Sequence, residues 1–150
     1  MKELSEKLLR VVGSADVSLR QVSDAESNQP VLKGGWSRKQ VLGHLIDSAS
    51  NNHQRFVRAV LQDSLEFPKY DQDGFVRVQA VAEVQWLQLV ALWADYNRYL
   101  AHVVAQIPAA KLETVCTIGS NEPETLKFLA EDYVNHLSHH LVQMGVPIAE

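Results

Sequence analysis

The stretch Ala82, Trp86, Leu89, Trp93, Tyr96, Leu100, Val103, Ile107 constrains this chain more than any other. Its apolar residues alternate spacings of four and three without a slip over 26 positions, 82 to 107, the seam pattern of a helix packed against other helices. Pro108 stops it. Three further stretches carry the same period. Leu4, Leu8, Val11, Ala15 and Leu19 predict a first helix ending near Val22. Ser37, with Gln40 three residues on, forms a capping box that opens a second helix with the stripe Val41, Leu42, Leu45, Ile46, Ala49, Phe56, Val57 and Val60. A last helix runs from about Thr125 to Met144, with Leu126, Ala130, Tyr133, Leu137, Leu141 and Met144 on its apolar side, and Gly145 and Pro147 close it.

Four amphipathic helices and no firm strand give the expectation of an all-α four-helix bundle, one domain over residues 1–150. The segments 23–35, 63–75 and 109–123 read as connections, with ETVCTIG briefly extended in the last. The connection between the second and third helices is long. About 14 residues at ~3.3 Å each span ~45 Å, against ~39 Å for the second helix, so these two helices can run parallel.

Composition excludes several classes. The chain is 46% hydrophobic and 21% charged, with a net charge of −4, so there is no basic patch to favour nucleic acid. No apolar run approaches the ~18 residues of a membrane span, and MKELSEKLLRVVGS lacks the apolar core of a signal peptide. The single cysteine, Cys116, excludes an internal disulfide, suits a reducing cytoplasm and reads as a small packed residue.

The histidines carry the chemistry. HLSHH places His136, His139 and His140 within five positions. On a helical wheel His136 and His140 share one flank of the last helix, about 40° apart, whereas His139 points away from the core. His53 falls inside the second helix's apolar stripe. His102 has no evident partner. His44 points ~140–160° from the stripe, on a face shared with Asp47, Ser48, Asn51 and Arg55, so it is either solvated or part of a polar site. In antiparallel neighbours His44 and His140 stand at one height. Three imidazoles with an open fourth position is the pattern of a catalytic metal site rather than a closed structural one.

GGWSRKQVLGHLIDSASNNHQRF, YDQDGFV and TLKFLAEDYVNHLSHHLVQM resemble the DinB/YfiT-like superfamily of four-helix metalloproteins. The resemblance implies a divalent metal, zinc or nickel, on His44, His136 and His140. It implies an up-down-down-up bundle, often a homodimer, and for some members transfer of low-molecular-weight thiols to electrophilic small molecules. The leading expectation is therefore a cytoplasmic, metal-dependent thiol S-transferase. A metal-dependent hydrolase using activated water and a non-catalytic metal-binding stress-response protein are the alternatives. Asp47, one turn after His44, is the candidate catalytic residue, as base or ligand-orienting group, against the competing reading of an exposed carboxylate. Asp132 is placed to hydrogen-bond His136. Asp71 and Asp73 either line the mouth of the site or serve only a helix dipole.

Overall fold

The computed structural model describes residues 1–149. Four long helices follow the four amphipathic stretches: α1 (Lys2–Leu19), α3 (Arg38–Leu61), α5 (Trp86–Ala105) and α6 (Leu126–Gln143). Of two short ones, α2 (Asp24–Ser27) lies within a segment the sequence reads as a connection, and α4 (Gln72–Val78) begins in one and runs three residues past it. The capping box at Ser37 forms as its residues dictate: Gln40 donates its backbone N–H to Ser37 Oγ, and Gln40 Oε1 accepts from the Ser37 N–H. A second box, Ser23 with Glu26, opens α2, so α1 stops at Leu19 rather than continuing to Val22.

The start of α5 is set from a distance. Ala82 and Trp86 do not share a helix, because Ala80 sits in the left-handed region (φ 48°) and a single 3-10 turn, Val81–Glu83, intervenes. The Trp86 N–H then finds its acceptor on Asp24 Oδ1, 2.9 Å away and 62 residues earlier. Trp86, Leu89, Trp93 and Leu100 are buried as the seam requires, Tyr96 and Val103 partly so, and Ala82 is exposed. In α3 the stripe holds except at Val57, which is 41% exposed.

Side-chain pairings give the helix directions. Ser5 bonds the Ala101 carbonyl, and Trp86 Nε1 donates to the Leu19 carbonyl, so α1 and α5 are antiparallel. Lys39 reaches the Ala82 carbonyl and His53 meets Tyr96, so α3 and α5 run parallel. Phe56 against Tyr133 and His44 against His136 make α3 and α6 antiparallel. The order is up-down-down-up, as the long connection allows.

The all-α expectation needs correcting. Three short strands, β1 (Ser64–Phe67), β2 (Val115–Ile118) and β3 (Glu124–Thr125), form a sheet in the order β1-β2-β3. β1 runs parallel to β2, pairing Leu65 with Cys116 and Phe67 with Ile118, and β2 runs antiparallel to β3. The two long connections thus satisfy each other's backbone groups across the end of the bundle. Leu65, Cys116 and Ile118 face the core, which gives the lone thiol its packing role. Burial raises its pKa.

Candidate metal centre

The first half of α3 is buried on both sides. Its apolar side faces the bundle, and its polar side is covered by α4, by the turn Val81–Glu83 and by α6. Gly43 makes the cover possible: a Cβ there would lie 2.6 Å from Val81 Cγ1 and 2.9 Å from Cγ2. His44 is consequently only 1% exposed, with the Trp36 ring 5.3 Å from its own. Of the two fates the sequence left for His44, solvation is the one overturned.

From α6, His136 and His140 meet it. The His44 ring lies 5.1 Å from each, and the two α6 rings lie 4.6 Å apart, all three pairs edge to face. His44 Nε2 and His136 Nε2 are 3.2 Å apart, and ligand atoms of all three residues fall within 4.8 Å of one another. Two imidazole nitrogens on one tetrahedral zinc, each at 2.0–2.1 Å, stand about 3.3 Å apart, so this pair already has the spacing such an ion requires. The rings are also in the right protonation state. Burial, then the neighbouring imidazoles, lowers His44 to about 4. Burial lowers His136 to about 4 as well, and His140 shifts the same way. At neutral pH the cluster is a set of uncharged nitrogen donors. Gln143 Oε1 holds His140 through Nδ1 at 3.1 Å, while His44 Nδ1 is buried without a partner among the described residues. His139 is exposed and touches only the edge of the group, its ring 5.4 Å from that of His140.

The expected supporting carboxylates fall elsewhere. Asp47 is not an exposed carboxylate. It is 7% exposed, and Gln79 Nε2 donates to both its oxygens at 3.0 and 3.2 Å. Burial raises its pKa against that bond. Asp132 makes no hydrogen bond to His136; it is exposed and acts only through its charge, opposing the effect of burial on that ring. Asp71 caps the short α4, accepting from the Gly74 N–H at 2.9 Å, so it serves a helix terminus, though not that of the third long helix. Asp73 lies in the first turn of α4, on the outer side of the cover beside Trp36 and Arg77. His53 bonds the Tyr96 hydroxyl and His102 stacks on Tyr99, both outside the cluster.

A cleft of about 350 Å³ opens beside His136, bordered by Ser48, Asn52 and Arg55 of α3 and by Lys69 and Tyr70 of the connection that follows it. Ser48 and Arg55 share the wheel face of His44. Tyr70 and Lys69 had no periodicity to reveal them. Burial pushes the Tyr70 phenol up to about 12, with the Asp47 charge acting the same way, so it stays a hydrogen-bond donor.

A helical bundle of this order, carrying three converging imidazoles on two antiparallel helices, is the framework of a metalloprotein. The family model of the DinB superfamily matches residues 9–144, and the chain belongs to that superfamily. The chain is 29% identical over 152 residues to "Putative metal-dependent hydrolase YfiT" of Bacillus subtilis (strain 168), covering 95% of this chain and 83% of that one. It is 22% identical over 139 residues to a "Putative metal-dependent hydrolase" of Bacillus pumilus (strain SAFR-032), covering 93% and 79%. The solved structure of YfiT, described as "a probable metal-dependent hydrolase with an unusual four-helix bundle topology", superposes with a TM-score of 0.80. That match covers 97% of this chain and 86% of YfiT at 22% identity, and it shows the shared fold. No helix among the described residues is long and apolar enough to cross a membrane.

Proposed function

We propose that His44, His136 and His140 hold a divalent ion, zinc or nickel, and that the protein is a metal-dependent enzyme joining a small-molecule thiol to an electrophile. The observation that carries the metal assignment is the convergence of three desolvated, uncharged imidazoles, two of them already at ligand spacing. When bound, such an ion supplies Lewis acidity that lowers the pKa of a thiol or a water at its open position. The chain's own residues do the rest. His44 and the Trp36 ring close the buried side, and the cleft beside His136 gives small molecules an approach. In the reaction the thiol sulfur forms a bond to the electrophilic carbon, the leaving group departs with its electron pair, and the thiol proton passes to solvent.

A second reading, hydrolysis by activated water, is favoured by the names given to the Bacillus relatives and by Asp47, a buried carboxylate one turn from His44. Elemental analysis of untagged protein tests the metal: close to one equivalent is expected, and less than about a tenth would overturn the site. A panel of thiols and model electrophiles separates the reactions. Thiol-dependent turnover lost in His140→Ala is expected; turnover with water alone would establish the hydrolase, and activity surviving His140→Ala would sink both.

A further inference from the structure

The cleft beside His136 has a second end. Arg55 stands 11 residues after His44 on α3. Its guanidinium carbon is 5.4 Å from the centre of the Phe67 ring, and Nη1 donates to Asn52 Oδ1 at a long 3.4 Å. Nε is buried with no hydrogen-bond partner among the described residues. No carboxylate among the described residues forms an ion pair with Arg55, although Asp132 borders the same cleft. A half-buried guanidinium set over an aromatic ring, without a counter-charge among the described residues, is an arrangement that stability alone does not favour. Lys69 adds a second positive charge at the cleft edge, also outside any ion pair among the described residues. Beyond the histidine cluster, Arg55 and Lys69 against Asp132 leave the cleft wall with one net positive charge.

We propose that Arg55 is the anion-binding end of this cleft and takes the carboxylate of an elongated small-molecule substrate whose reacting group lies at the three-histidine cluster. This rests on the metal-centred reading above and adds the substrate class to it. The one net charge fits a monoanion such as a carboxylate, for which the guanidinium fork offers two parallel N–H donors. Length follows from the helix. Eleven residues at 1.5 Å rise separate the levels of His44 and Arg55 by about 16 Å along α3. The proposed substrate therefore carries a chain between its reacting group and its carboxylate.

The test compares 6-mercaptohexanoate with the uncharged 6-mercaptohexanol by isothermal titration calorimetry, on metal-stripped and on zinc-loaded protein. The carboxylate is expected to bind about tenfold tighter or better in both forms, the size of a charge-assisted hydrogen bond. Arg55→Gln should abolish the difference and Arg55→Lys should retain part of it, while 3-mercaptopropionate should show little of the gain. Equal affinities for the two probes in the native protein, no binding of 6-mercaptohexanoate to either form, or a preference that survives Arg55→Gln would each overturn the proposal. Should zinc fail to tighten either thiol while the carboxylate preference persists, the metal-centred reading falls and the Arg55 site stands.

Discussion

At the scale of single residues, His44, His136 and His140 differ from the other histidines by what surrounds them. His139 is a direct neighbour of His140 in sequence, yet its ring is exposed. On the proposed metal reading, removing one of three converging donors is expected to weaken binding of an added divalent ion by more than the 10–100-fold typical of a residue that only hydrogen-bonds a ligand. Competition with a chromophoric chelator should show that loss for His140→Ala and a change of less than about threefold for His139→Ala. Comparable losses in both variants would mean that the geometry has been misjudged. Asp47 illustrates the same dependence on surroundings: its carboxylate is masked by Gln79, a residue on the far side of a connection.

At the scale of elements, the cover over the polar face of α3 is the device that turns a surface histidine into a buried one. It depends on Gly43 and Val81. An alanine at Gly43 is expected to destabilise the protein by about 1–3 kcal/mol, because the Val81 methyl groups occupy the space of its Cβ. The gain in helix propensity offsets at most about 1 kcal/mol of that. Combining Gly43→Ala with Val81→Ala should relieve the clash, so the double variant is expected to lose less than the two single losses together. Urea denaturation of the four proteins measures this, and simple additivity would remove Val81 from the account. The Ser37 cap is local and therefore simpler: Ser37→Ala should cost about 1 kcal/mol of stability in the same experiment.

At the scale of the molecule, α3 and α6 meet antiparallel because α3 and α5 run parallel, and only that order brings residues 44, 136 and 140 together. The cluster also couples folding to pH. His44 and His136 titrate at about 4 in the native protein and near 6.5 when unfolded. Between these values the unfolded chain binds more protons, so acidification destabilises the fold across that window and the loss levels off below about pH 4. The slope is at most about 1.4 kcal/mol per pH unit for each histidine, less for the partly exposed His136. Metal-stripped protein is therefore expected to be distinctly less stable to urea at pH 5 than at pH 7, and His136→Gln should flatten that dependence. An unchanged pH dependence in the variant would mean that the rings are more hydrated than their packing implies.

The amino-acid sequence by itself determined the four long helices, the Ser37 capping box and the pairing of His136 with His140, because each depends on residues within a turn or two of one another. It also separated His139 from that pair. The tertiary structure decided the rest. The sheet joins residues 64–67 to 115–118, strands too short to show a period and stable only through each other. The start of α5 depends on Asp24, a cap supplied from another part of the chain. Burial of His44 and Asp47 depends on a connection folding back over α3, which no periodicity within α3 encodes. A helical wheel reports which side of a helix is apolar; whether water reaches the other side is set by what packs there, and that is a long-range property.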